Sequence, residues 1–150
     1  GYQGTLTDLD PVLYENLDTV HYWTFPYNTY ATITESTGAT PYDTSIYYEG
    51  ATGGSLTYGV FIWGDHPVFV EHNEDIQEDK KIAVIKESYG NAMVPYLTAN
   101  YKEVHVIDFR HFEGNLKDYC TQNGITEVLF VNNIMAANTA MMVDQISTLN

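Results

Sequence analysis

The sequence predicts an α/β fold, with a β-rich, loop-rich half over residues 1–75 followed by a parallel βαβαβα run over residues 76–150. Three observations carry that expectation. The first half is dense in Tyr, Thr and Gly, and its aromatic and β-branched residues fall in short runs bounded by turn formers, a pattern of short strands and long loops. The texture changes after an acidic linker at 73–79, where apolar β-branched runs begin to alternate with helical patterns. Such alternation implies parallel strands, because a parallel pair needs a crossover and cannot be closed by a tight hairpin.

In chain order, the runs at 18–25 and 45–48 read as short strands. Residues 58–63 and 68–71 read as a hairpin with the turn Gly64-Asp65-His66-Pro67. Beyond the linker, a strand at 82–86 precedes a helix near 91–101, and a strand at 104–109 precedes a helix near 115–123. A third strand at 127–131 precedes a last helical segment near 136–148. Gly124 suits the left-handed cap that ends a helix just before a strand starts. No repeat or low-complexity tract is present.

Composition narrows the function. With 150 residues, 44% hydrophobic and 17% charged, the chain is globular and fits a single domain or part of a larger one. A net charge of −14 argues against nucleic acid and against anionic membrane surfaces, both of which need clustered Lys or Arg. A neutral or cationic partner, such as a carbohydrate or a cell-wall polymer, fits this charge better. Arg110 is the only arginine, and Cys120 stands alone, which excludes an internal disulfide and a cysteine-based zinc site. No apolar run approaches the roughly 20 residues of a membrane helix, so no membrane insertion is expected. The opening Gly1-Tyr2, without methionine, reads as a piece of something longer.

The chemistry is expected where the parallel strands end. The run Lys80-Lys81-Ile82-Ala83-Val84-Ile85-Lys86-Glu87 stops at Ser88, and the small-residue turn Gly90-Asn91 leads into a helical pattern. Open α/β sheets place ligands at that edge, and a helix start offers unpaired N–H groups to a developing oxyanion. Ser88 is therefore a candidate acyl-transfer nucleophile, with the backbone at Gly90 and Asn91 as candidate oxyanion donors. The other two strand ends carry Asp108-Phe109-Arg110-His111 and Asn132-Asn133, so Arg110, Asn132 and Asn133 are expected in the same crevice. The plainer reading is that strand ends turn polar as they leave the core, and that Ser88 caps its helix. His66 is a candidate base, although a turn Asp-His-Pro is commonly turn chemistry alone. His111 reads as a loop residue, while His105 and His21 read as strand residues that pack or face outward. No metal-ligand spacing and no phosphate-cradling loop with a lysine is present, so no metal and no cofactor is expected.

These segments together resemble the C-terminal part of the bacterial DHHW proteins. The likeness runs through Lys81-Ile82-Ala83-Val84-Ile85-Lys86-Glu87-Ser88-Tyr89-Gly90-Asn91 and Pro95-Tyr96-Leu97. It continues through Val106-Ile107-Asp108-Phe109-Arg110-His111-Phe112 and residues 124–133, and upstream through Tyr2-Gln3-Gly4-Thr5-Leu6 and the turn at 64–67. Such proteins are similar to SGNH-hydrolase-like polysaccharide O-acetyltransferases of the alginate type. The resemblance implies a small three-layer SGNH or flavodoxin-like parallel sheet and a location in the cell envelope. It also implies acyl (acetyl) ester transfer or hydrolysis on a glycan, with Ser88 matching the nucleophile. An aspartate usually precedes that serine, and here Glu87 does. The namesake Asp-His-His-Trp element does not occur in these 150 residues, so a base is expected from elsewhere. The alternative is a non-catalytic glycan- or cell-wall-binding module that keeps the hydrolase-like fold.

Overall fold

The computed structural model describes residues 2–4 and 11–150. Thr5 and Leu6, part of the upstream resemblance, lie outside the described residues. Six strands form one mixed sheet: β1 (Thr29–Thr34), β2 (Tyr42–Thr44), β3 (Val68–Asn73), β4 (Lys81–Lys86), β5 (Glu103–Asp108) and β6 (Glu127–Val131). Their order is β2-β1-β3-β5-β4-β6. β5, β4 and β6 are parallel to one another, as the alternating pattern requires, while β1, β2 and β3 join them antiparallel. The two halves of the sequence therefore share a single sheet. The structure is mixed α/β with few helices and does not show the three-layer arrangement.

Alternation along the strands builds a core on each face. Ala31, Ile33, Phe69, Ile82, Val84, Val104 and Val106 point to one side and pack with Ile46, Ile62 and Val94. Ala83, Ile85 and Ile107 point to the other, under Leu116 and Cys120 of α1 (Leu116–Asn123), with Ile125 and Leu149. β4 lies between the parallel strands β5 and β6 and is buried on both faces, which is why its sequence is a continuous apolar run. Each such Val or Ile contributes about 1.5–3 kcal/mol.

Four sequence expectations are corrected. Residues 58–63 are not a hairpin strand: a 3₁₀ helix covers Ser55–Val60, and Ile62, Trp63 and Gly64 all have positive φ (49°, 62° and 96°). Three successive left-handed residues cannot continue a strand, so β3 pairs with β1 and β5 instead. The helix near 91–101 is two short 3₁₀ turns, Ser88–Gly90 and Val94–Ala99. Pro95 has no N–H to give back to residue 91, and the bonds that form are of the tighter kind, such as Met93 N–H to Gly90 O. The last helix is split into α2 (Ile134–Ala137) and α3 (Ala140–Ser147), with Thr139 extended between them. The runs at 18–25 and 45–48 supply only single bridges, Tyr2 to Asp18 and Tyr47 to Phe61. Gly124 does cap α1, at φ 68°.

Glu71 of β3 sits in the core with no exposed surface, accepting a 2.5 Å hydrogen bond from the Thr98 hydroxyl. Burial outweighs that bond and pushes its pKa from the ordinary 4.5 up to about 8. An acid whose folded pKa lies above its unfolded value keeps its full contribution below the unfolded pKa. It loses stability as pH rises from about 4.5 towards 8. Glu71→Gln, which fixes the neutral shape, should flatten the decline in chemical-denaturation stability across that window. Parallel pH profiles for the two proteins would contradict a buried, titrating Glu71.

Candidate active site

Ser88 opens the 3₁₀ turn at the carboxyl end of β4, the central parallel strand. It is half-buried, and its hydroxyl has no hydrogen-bond partner among the described residues. It lines a cavity of ≈ 380 Å³ together with Asp65, Asn91, Gly64, Trp63 and Tyr58. The turn sits tightly on its strand: a Cβ at Gly90 would lie 2.7 Å from the Lys86 Cβ, so only glycine fits there without moving the serine.

The N–H groups of the turn are mostly engaged. Tyr89 N–H donates to Glu87 Oε2 at 2.9 Å, Gly90 N–H to Glu87 O at 2.9 Å, and Asn91 N–H to Ser88 O at 3.2 Å. The N–H of Ser88 itself remains without an acceptor among the described residues, whereas those of Gly90 and Asn91 are taken up within the turn. Glu87 is a buried tie rather than a reactive acid. Its other oxygen accepts from Asn133 N–H at 2.8 Å, binding the end of β4 to the end of β6.

Beneath the turn lies a compact charge cluster. Lys86, fully buried, donates to Asp65 Oδ1 at 3.0 Å and to Asp108 Oδ2 at 2.9 Å. Arg110 closes the cluster from Nη2, 2.6 Å from Asp108 Oδ2 and 2.8 Å from Asp65 Oδ2. Burial acts to raise the pKa of Asp65, but Lys86, Asn91 and Arg110 outweigh it and hold the carboxyl at about 2. Asp108 is lowered in the same way, against burial, by Arg110 and Lys86. A carboxylate held that low, with Lys86, Asn91 and Arg110 already bonded to it, is a poor base, although it lines the same cavity as Ser88.

Asp65 also fixes Asn91. The side-chain NH₂ of Asn91 donates to Asp65 Oδ1 at 3.0 Å and to Gly64 O at 3.3 Å, leaving its Oδ1 buried and unpartnered. With two acceptors on one side, the amide cannot reverse, and Asn91 offers an acceptor rather than an oxyanion donor.

A model of the DHHW protein family matches residues 11–107. The chain belongs to the DHHW family. Among solved structures, it is similar to a DHHW family protein from Eubacterium siraeum, at 26% identity and a TM-score of 0.85, over 98% of this chain and 50% of the other. It is also similar to Bacillus cereus PatB1, at 27% identity and a TM-score of 0.68, over 85% of this chain and 43% of the other. PatB1 with a sulfonyl adduct matches at 28% identity and a TM-score of 0.59, over 73% of this chain and 38% of the other. This chain thus spans about half the length of the solved relatives, or less. No curated protein sequence matches it.

The other residues singled out in the sequence divide clearly. Arg110 belongs to the charge cluster. Asn133 caps α2, its Oδ1 accepting from Met135 and Ala136 N–H at 2.7 and 2.9 Å. Asn132 follows β6 with a buried, unpartnered Oδ1. His66 is not among the residues lining the Ser88 cavity: its Nδ1 lies 3.5 Å from Glu35 and its Nε2 3.2 Å from Trp63 O. His111 and His21 are exposed, and His105 is buried between Glu103 and Tyr119. Among the described residues, no helix is long and apolar enough to cross a membrane.

Lys86 and Asp65 are the residues that sequence reasoning passed over. A lysine ending an apolar strand, in register with Asp108 on the neighbouring strand, was the available signal. Lys86→Met should lower stability in denaturant titrations by about 3 kcal/mol, because it leaves the two carboxylates with Arg110 as their one remaining counter-charge among the described residues. A change below about 1 kcal/mol would show that the cluster does not hold the turn.

Proposed function

We propose that this chain is the serine-bearing, C-terminal part of an SGNH-like acyl (acetyl) transferase or esterase that acts on a cell-envelope glycan outside the cytoplasm. The observation that carries the reading is the Ser88 hydroxyl, unpartnered, beside its own free N–H and open to a cavity at the end of the central parallel strand. Ser88 Oγ attacks the acyl carbon while its proton passes to a base, and the Ser88 N–H steadies the oxyanion. Collapse expels the first alcohol or donor group. A glycan hydroxyl or water then takes the acyl group from Oγ. The sulfonyl adduct in one neighbour supports this chemistry, since a sulfonyl electrophile marks a nucleophilic side chain.

The base comes from polypeptide that docks on β6. That strand is paired only with β4, yet Val128, Leu129 and Phe130 are all exposed, and Ile134 and Met135 beside them are 82% and 73% exposed. Parallel strands are ordinarily covered on both faces, and the relatives have as much chain again to cover this one. The competing reading, a non-catalytic glycan-binding module, is favoured by one feature: no histidine lines the cavity, while the stacked rings of Tyr48 and Trp63 do, 4.2 Å apart.

A serine-directed fluorophosphonate separates the two. In the polypeptide with its native flanking sequence, the probe should modify Ser88, and both Ser88→Ala and Phe130→Glu should lose labelling. The bare chain should label far more slowly. An unmodified Ser88 in a folded, flanked protein overturns the catalytic reading, and unaltered labelling of Phe130→Glu overturns the docking role of β6.

A further inference from the structure

A second trough lies on the opposite face of the sheet, with a volume of ≈ 630 Å³. Its floor is a patch of β1, β3 and β5, where pairing sets Thr32 beside Val70, Val70 beside His105, and Thr34 beside Val68. These residues alternate with Ile33, Phe69 and Val106, which point into the core on the Ser88 side. α1 supplies one wall, and the Glu113 N–H bond to the Thr37 hydroxyl, at 3.1 Å, ties loop to loop at the end. The trough is thus built from paired strands and a helix, and its volume falls in the range of about 300–1,000 Å³ that takes small ligands.

Its lining is suited to a polyol. The hydroxyls of Thr32 and Thr34, the amide of Gln122 and the carboxylate of Asp118 bond to no other described residue. His72 lines the same trough and has a buried Nε2 without a partner. One aromatic wall is rigid: the Tyr119 hydroxyl is 2.9 Å from His105 Nδ1, and His105 Nε2 is 3.0 Å from Glu103, itself 3.0 Å from Lys81. Phe112 meets Tyr119 edge-on at 5.6 Å. No lysine or arginine lines the trough, whereas Glu103, Glu113 and Asp118 do, so anions are repelled. A pyranose ring has the complementary surfaces: C–H faces that pack against fixed aromatic rings, and hydroxyls that donate to a carboxylate while exchanging with threonine and glutamine.

We propose that this trough is a glycan-binding groove, separate from the Ser88 cavity, that holds a neutral pyranose oligosaccharide. It gives the protein a means of retaining a polymer independently of any chemistry at the serine.

The test is a titration of the ¹⁵N-labelled chain with chitotetraose and with cellotetraose, followed by amide shifts. At least one should produce saturable shifts at Thr32, His72 and Gln122. Thr32→Val and Gln122→Ala should each weaken binding by about 2- to 10-fold, the worth of one hydrogen bond. Ser88→Ala should bind as the parent does, so the groove stands or falls apart from the catalytic reading. Shifts absent from the groove, shifts confined to the Ser88 cavity, or unchanged affinity in both groove variants would overturn the proposal.

Discussion

The Lys86 ammonium, sealed between Asp65 and Asp108, is the constraint on which the rest of the serine edge depends. A buried cation is tolerated only with close, hydrogen-bonded counter-charges, and here they come from a loop and from the neighbouring strand. Binding Asp65 holds the loop that follows the left-handed residues Ile62 and Trp63 against the end of β4. Asp65 in turn holds Asn91, the residue after the serine turn. The position of Ser88 is therefore set from below by charge and from behind by the close approach of Gly90 to Lys86.

The same geometry limits what the described residues at the cavity can do. Its one cavity-lining carboxylate is locked as an ion, and its glutamate is committed to two backbone N–H groups. Ser88, its unbonded N–H and the charge-tied floor lie at the cavity, and no histidine is among the residues lining it. An exposed apolar edge strand next to that floor is the natural place for a second segment to enter. Fixing the donors and leaving the base to another segment would make activity depend on assembly of the complete domain.

The parallel strands were legible because each is a short β-branched run with polar residues at its end, and α1 because Asn115 and Gly124 bracket it as caps. The antiparallel half was harder to read. The aromatic stretch at 58–63 has strand-like composition, yet it ends a 3₁₀ helix packed around Tyr47 and Ala51 and then turns left-handed at Ile62 and Trp63, a tertiary preference that no local pattern records. Pro95 did announce the failure of the helix near 91–101, since a missing N–H one turn in removes the bond that distinguishes α from 3₁₀. Ser88 was legible as a strand-end hydroxyl. Its supporting cluster was not, because Lys86 is 21 residues from Asp65 and 22 from Asp108, and only the loop path and the strand register bring them together. That the N–H groups of Gly90 and Asn91 turn back onto the carbonyls of Glu87 and Ser88 is a property of the 3₁₀ turn that no residue pattern announces.

The most direct measurement of the central claim is a mass spectrum of the flanked polypeptide, acid-quenched within its first turnover of p-nitrophenyl acetate. The account predicts one acetyl group on the peptide that contains Ser88, and none when Ser88 is replaced by alanine. An acetyl group carried on any other residue, with Ser88 unmodified while ester is being consumed, would contradict it.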